Sequence, residues 1–434
     1  RGDCLSVRGV ARDLAAAGLG KLKENLLIKN IEGTFDSPVQ WEKDFTGDEE
    51  YICPGVAGRY FKNVTNKESP EWLKQRLKAI GLRPISALVD ITNYITYDLG
   101  RPLHVYDADK IDGNLKMRYA KENESCLTLD EEKRDCAKDM IVISDDKKLH
   151  GIGGIMGGLE SGCSIDTKNV FLETALFDAI SVTKTGRKLK LQSDARFRFE
   201  RGIDPSSIEW GVQAATKMIL DLCGGEASKP VQTSILKHPQ NTFNFNTDKL
   251  KSLGGVDVPK DKQKSILESL GFTVSENVNI FKITVPSFRL DIEGEADIVE
   301  EILRIYGFNQ IPLTNLSDYT TKKSVLNPEL KSFYKIKRVI ANSGYLEAVT
   351  WSFMDEKIAK LLSENCIKIK NPISSDLNVM RPSNIPNLLV AINQNKSKMI
   401  SSGKIFEVGP IFDENFPDKQ VNVATGIAYG NISG

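Results

Sequence analysis

His104 is one of three histidines in 434 residues, and its neighbours offer groups for proton transfer. It sits in Gly100-Arg101-Pro102-Leu103-His104-Val105-Tyr106-Asp107, downstream of Arg83-Pro84-Ile85 and Asp90-Ile91-Thr92-Asn93-Tyr94. Imidazole changes protonation nearest neutral pH, which suits a general acid or base. A single histidine beside Asp and Tyr is, however, more often structural than catalytic. Gly151 to Gly158 reads Gly-Ile-Gly-Gly-Ile-Met-Gly-Gly. It lacks the GxGxxG spacing, and no Lys-Ser/Thr follows it, so it is neither a dinucleotide fingerprint nor a phosphate loop. It implies only a turn or a close backbone approach. Glu173 lies in an apolar stretch between Leu172 and Ala175. Burying a carboxylate without a partner is costly, so Glu173 either has a partner or binds something. Further on comes Ser193-Asp194-Ala195-Arg196-Phe197-Arg198-Phe199-Glu200-Arg201-Gly202, inside a segment, 181–201, holding seven Lys or Arg. Those cations fit a solvated face or a phosphate-contacting surface.

A second constellation is acidic. Six carboxylates fall between 291 and 301, after Pro286-Ser287-Phe288-Arg289-Leu290. If a helix starts near 297, Asp297, Glu300 and Glu301 share one face, opposite Ile298, Ile302 and Ile305. Asp297 with Glu300 has capping-box spacing, and acids in a first turn complement the helix dipole. Oxygen-only ligands of this kind also suit Mg²⁺. The pattern admits both, and they are not exclusive.

These residues must be held by elements whose ends are legible. Ser69-Pro70 starts a helix with Leu73, Leu77 and Ile80 as its stripe and Gly81 as its stop. Asp204-Pro205 starts another, with Ile208, Val212, Ile219 and Leu222 inside and Gly224 at the end. Asn327-Pro328 opens a third, with Phe333, Ile336 and Ile340 inside and Gly344 at the end, and a fourth runs from about Pro259 to Leu270. Strand-like runs are Met140 to Ile143, Val170 to Leu172, Phe281 to Val285, Ile405 to Val408 and Val421 to Ala428. Strands and helices do not alternate strictly, so the class is α+β, with mixed and antiparallel sheets, and not a doubly wound sheet. Breaks are expected in the polar stretch 30–50, in Lys229-Pro230 to Asn246, and in Pro312 to Asn327.

The length suggests about three domains. With 40% hydrophobic and 27% charged residues the composition is that of a globular protein. No apolar run reaches the roughly 18 residues of a membrane span. Formal net charge is zero, so an RNA contact would be local or shared. Seven cysteines, an odd number without CxxC spacing, argue against disulfide scaffolds and zinc and for reduced thiols in a cytoplasm. The chain opens on Arg1 and stops in an alternating apolar stretch, so both ends read as cut.

The blocks Arg83-Pro84-Ile85, Asp90 to Tyr94, Arg101 to His104, Gly153 to Gly158, Leu172-Glu173-Thr174-Ala175 and Ser193 to Pro205 resemble, in order and spacing, the editing domain of the bacterial phenylalanyl-tRNA synthetase β-subunit family. Arg1 to Ala16, Asp291 to Pro312, Asn327 to Phe353 and Arg381 to Gly409 resemble its flanking segments. The resemblance implies four parts. Residues 1–45 are the remnant of an N-terminal region and linker; 46–230 form the tRNA-editing domain; 231–315 form a small α+β domain with an acidic helix; 316–434 form a truncated, catalytically silent class II synthetase-like module. It implies that the pocket hydrolyses tyrosine misattached to the tRNA for phenylalanine, because an apolar synthetic site rejects an added hydroxyl poorly. Glu173 would meet that hydroxyl, His104 and Arg83 would lie near the ester and the tRNA 3′ end, and Thr92, Asn93, Gly157, Ser193 and Ala195 would line the pocket. Where some relatives carry Thr, this chain carries Ser193. Asp291, Asp297, Glu300 and Glu301 match a magnesium site at the contact with an α subunit, which would charge the tRNA with ATP and phenylalanine in a tetramer of two α and two β subunits. The alternative is a tRNA-binding scaffold with an inactive pocket.

Overall fold

Apolar runs around Val105 and Leu172 draw two buried strands together, and the rest of the first core is built outward from them. The computed structural model describes residues 1–25, 27–236, 240–277, 279–313 and 326–431, in two units, Arg1–Leu313 and Thr314–Gly434. The first unit opens with α1 (Val7–Ala16), capped by Ser6, whose Oγ accepts from Gly9 N at 2.9 Å. Then come β1 (Trp41–Lys43), β2 (Gly55–Lys62), α2 (Glu71–Ala79), α3 (Ala87–Leu99), β3 (His104–Asp107) and β4 (Leu115–Tyr119). A hairpin of β5 (Glu124–Leu127) and β6 (Lys133–Cys136) leads to β7 (Ile141–Ser144), β8 (Leu149–Ile152), β9 (Met156–Gly157) and β10 (Val170–Leu176). The part ends with α4 (Ala179–Lys188), α5 (Asp194–Phe199), α6 (Ser207–Cys223), β11 (Glu226–Ala227) and β12 (Val231–Gln232).

Two sheets result. One runs β1-β4-β7-β8-β9; the other runs β11-β2-β10-β3, with β12 also on β2. Every residue of β10 is buried, because β2 and β3 flank it and α6 packs on it. Phe61, Phe171, Leu172, Ile91 and Val142 sit in one continuous core, each such side chain contributing about 1.5–3 kcal/mol. Val39, Trp41 and Phe45 are buried in it too, so the polar stretch 30–50 is fastened to the core and is not a free linker.

A second core lies in the same unit. β13 (Thr242–Asn246), α7 (Lys249–Gly254), α8 (Lys260–Ser269), β14 (Thr273–Asn277) and β15 (Ile280–Thr284) form a three-stranded antiparallel sheet, order β13-β15-β14, with helices against it. Its last helix is α9 (Glu295–Tyr306), which buries Ile298, Val299 and Ile302 beside Phe245 and Phe281. Residues 237–239, which include His238, and most of Pro312 to Asn327 lie outside the described residues.

The second unit contains α10 (Pro328–Asn342), β16 (Leu346–Glu347), β17 (Phe353–Met354), α11 (Glu356–Ala359), β18 (Val379–Met380), α12 (Ile385–Ser397), β19 (Gly403–Phe412) and β20 (Gln420–Tyr429). β19 and β20 pair antiparallel from Gly403↔Tyr429 to Phe412↔Gln420. Arg381, fully buried, bridges Thr350 Oγ1 at 2.9 Å and Glu407 Oε1 at 2.8 Å. The architecture is α+β with mostly antiparallel sheets, as the sequence implies.

Two helices differ from expectation. Ser69 does not cap α2: its Oγ donates to Asp90 Oδ2 at 2.6 Å, and Pro70 is the N-cap. Asn327 does cap α10, accepting from Leu330 N at 2.7 Å, but α10 buries none of its residues and Ile336 stays 43% exposed. Phe333 and Ile340 are half-buried where α10 meets β16 and β19, so its apolar stripe is only partly covered.

Candidate functional site

Strand pairing places the reactive groups. In β3 and β10 Glu173 is directly opposite His104, and Tyr106 opposite Phe171. Side chains two apart on a strand share a face, so His104, Tyr106 and Glu173 point the same way. A cavity of about 260 Å³ opens there. Asn93 from α3, Gly151 and Ile152 from β8, Met156 and Gly157 from β9, and Ser193 and Ala195 at the start of α5 wall it.

Glu173 is 7% exposed, and Tyr106 donates its hydroxyl to Glu173 Oε2. Burial raises the carboxyl to about 7, while the Tyr106 hydroxyl and the nearby Arg101 guanidinium pull it back. Arg101 is fully buried and donates Nη2 to Ala175 O; burial lowers it to about 10. His104 is half-buried, and its Nε2 has no hydrogen-bond partner among the described residues. Close packing, with His150 nearby, lowers the imidazole to about 4, so it is neutral at pH 7. The rings of His104 and Tyr106 meet edge to face at 4.5 Å. Behind them His150 Nε2 is paired with Asp145 Oδ2 at 2.7 Å.

The glycine run has a specific task. A Cβ at position 157 would fall 2.6 Å from His104 Nε2, so only glycine leaves the imidazole its place. Gly154 takes φ +68° at the turn between β8 and β9. Ser193 caps α5, accepting from Arg196 N at 3.0 Å and donating to Ile155 O at 2.6 Å. Its hydroxyl therefore ties helix and glycine turn together.

Two expected residues lie elsewhere. Thr92 is buried in α3, its hydroxyl donating to Val89 O at 2.8 Å, and is not on the cavity wall. Arg83 is exposed in the α2–α3 loop, on a separate cavity with Lys74 and Lys78. Sequence reading passed over Tyr106, Arg101 and the His150–Asp145 pair. Tyr106 lies two residues beyond His104 on the same face of β3.

Three family models divide most of the chain. The B3/4 domain matches residues 52–224, the tRNA synthetase B5 domain 243–308, and the phenylalanyl tRNA synthetase beta chain CLM domain 311–433. The phenylalanine–tRNA ligase beta subunit of Paramagnetospirillum magneticum is 44% identical over 100% of this chain and 54% of its own length. The chain belongs to the phenylalanine–tRNA ligase beta-subunit family. The beta subunit of Bradyrhizobium diazoefficiens is 42% identical, again over 100% of this chain and 54% of its own. The chain thus spans about half the length of these relatives. An N-terminal fragment of the Pyrococcus horikoshii phenylalanyl-tRNA synthetase beta subunit aligns over 70% of this chain and 84% of that one, at 17% identity and TM-score 0.36.

The acidic set 291–301 is not arranged as the expected metal site requires. Asp291 receives Arg289 Nε and Nη2 at 2.8 Å each, and buried Glu301 is shared by Arg289 and Arg304. α9 begins at Glu295, so Asp297 is the third helical residue and not the cap; its carboxylate accepts from Gly294 N at 2.9 Å and Glu293 N at 2.8 Å. Glu300 is exposed. Among the described residues no three of these four bring ligand oxygens within 4.8 Å of one another. As arranged, Asp291, Asp297, Glu300 and Glu301 do not fit a shared Mg²⁺. Guanidinium groups already neutralise two of them, and backbone N–H groups occupy a third.

Proposed function

We propose that this chain is the part of a phenylalanine–tRNA ligase β subunit that hydrolyses tyrosine misattached to the tRNA for phenylalanine. The carrying observation is Glu173, a buried carboxyl facing a cavity otherwise lined mainly by apolar groups, directly opposite His104. A tyrosyl side chain brings a hydroxyl that the free oxygen of Glu173 can bind; a phenylalanyl side chain leaves that oxygen dry and unpaired. Water adds to the ester carbonyl and the ribose oxygen leaves. Neutral His104, with Nε2 unpartnered, is the side chain suited to accept the water's proton and return one to the leaving oxygen. Gly157 and Ala195 leave room for the aminoacyl group, and Asn93 can hydrogen-bond its polar end. Arg83, with Lys74 and Lys78, is suited to phosphates of the tRNA 3′ end. Charging with ATP and phenylalanine belongs, on this reading, to an α subunit, in a tetramer of two α and two β in the cytoplasm. No helix of the described residues is long and apolar enough to cross a membrane.

The test is deacylation of tyrosyl- and phenylalanyl-tRNA by the full β subunit in complex with α. The tyrosyl form should be cleaved far faster, and His104→Ala should slow it about 10²-fold or more. Equal rates on the two substrates would leave the scaffold with an inactive pocket as the better reading.

A further inference from the structure

Glu173 does not stand alone, and the group that meets it carries the same chemistry as the substrate hydroxyl. Tyr106 is 1% exposed, lies diagonally across the β3–β10 ladder from Glu173, and donates its phenolic hydroxyl to Oε2. No other hydrogen bond reaches the Glu173 side chain among the described residues. The Tyr106 ring is packed from both sides: His104 lies 4.5 Å away and His150 6.1 Å away, both edge to face. His150 is itself fully buried and fixed by Asp145 at 2.7 Å.

We propose that Tyr106 is a specificity-determining residue: its hydroxyl occupies one oxygen of Glu173 and so leaves the other as the single acceptor for a substrate hydroxyl. This rests on the reading of the cavity as a tyrosyl-ester hydrolase. Without Tyr106, a buried carboxyl in an apolar wall has two oxygens to satisfy, and it turns freely or takes up a proton. With Tyr106, one oxygen is paired whether or not substrate is present, and the carboxyl plane is set. Only the second oxygen then changes its pairing between a tyrosyl and a phenylalanyl substrate. The orientation of Tyr106 depends in turn on the His150–Asp145 pair, which makes that pair a positioning element one layer behind the pocket wall.

The experiment is Tyr106→Phe in the full α–β complex, which keeps the ring between the two histidines and removes only the hydroxyl. The ratio of tyrosyl- to phenylalanyl-tRNA deacylation should fall by roughly tenfold, the scale of one buried hydrogen bond. The loss should appear mainly in KM for the tyrosyl substrate. The pH midpoint of the discrimination ratio should also move upward, because the lost donor favoured the ionised carboxyl. An unchanged ratio with an unchanged midpoint overturns the proposal, as does a ratio that rises. Glu173→Gln in the same assay separates the two levels. If Glu173→Gln keeps full discrimination, the pocket reading itself fails. If Glu173→Gln abolishes discrimination while Tyr106→Phe preserves it, only the role of Tyr106 fails. In the double variant, Tyr106→Phe should have no effect beyond that of Glu173→Gln.

Discussion

A glutamate held near pH 7 leaves a signature in stability as well as in recognition. Burial raises the Glu173 carboxyl to about 7, above the ordinary value of the unfolded chain. Folding therefore favours the protonated form. The associated stability is complete at low pH and is lost as pH rises toward and through 7. Glu173→Gln mimics the neutral acid at every pH. We expect its effect on the unfolding free energy to be small at pH 5 and more stabilising at pH 8, with the two differing by at most on the order of 3 kcal/mol. Parallel Tm–pH curves for the two proteins would mean that the carboxyl titrates normally. The residue scale is also where sequence reading was most selective. Glu173 was visible because a carboxylate in an apolar strand requires a reason. Tyr106 was not, because an aromatic residue in a β-strand reads as ordinary core. Arg101 carries no local mark of its buried partner Ala175, which β10 brings to it, and the Asp145–His150 pair, five residues apart across the β7–β8 connection, reads as an ordinary turn.

At the scale of elements, caps and stops were legible where one residue decides them. Asn327 caps α10 and Gly224, with φ +67°, ends α6, as their types suggest. Ser69 misleads because its hydroxyl is turned to donate to Asp90, twenty-one residues away, and does not accept from the first turn of α2. The acidic helix misleads by register: starting at Glu295 turns Asp297 from cap to third residue. Ser193 is the element that joins local and distant structure, since its one hydroxyl both caps α5 and bonds Ile155 O. Ser193→Ala should cost about 1 kcal/mol in stability, the usual loss for an N-cap. It should also speed amide exchange in residues 154–157 more than in β10. Uniform changes in exchange would assign the whole effect to the helix.

On the scale of the first unit as a whole, an arginine–carboxylate network joins the two ends of the chain segment. Arg304 reaches Asp13 at 2.9 Å and Arg1 reaches Asp13 at 2.9 Å, while Arg289 and Arg304 share Glu301. Burial alone would raise Glu301, but hydrogen bonds from Arg304 and Arg289 outweigh it and hold the carboxyl below its usual range. The sign is opposite to that of Glu173. This stability is present above the unfolded value near 4.3 and is lost as pH falls through the lower folded value. Glu301→Gln should destabilise by about 3 kcal/mol at pH 7, the low end for a broken buried pair because Asp291 still serves Arg289. The difference from the unaltered protein should shrink below about pH 4. Thermal unfolding at pH 7 and pH 3.5 measures both. The pairs within 289–304 are close in sequence, but the link from Arg304 to Asp13 spans 291 residues, and no local pattern announces it.

The opposition of Glu173 and His104 across two strands makes the pocket intolerant of one kind of change in particular. Side chains in a strand alternate between faces, so losing a single residue, Val105 for example, would not trim the site slightly. It would turn either His104 or Tyr106 to the far side of the sheet, exchanging a cavity wall for a core position in one step. Point substitutions here are graded and can be tuned, whereas insertions and deletions are all-or-none. Directed changes to this pocket should therefore keep the length from 104 to 107 fixed and vary only the identities.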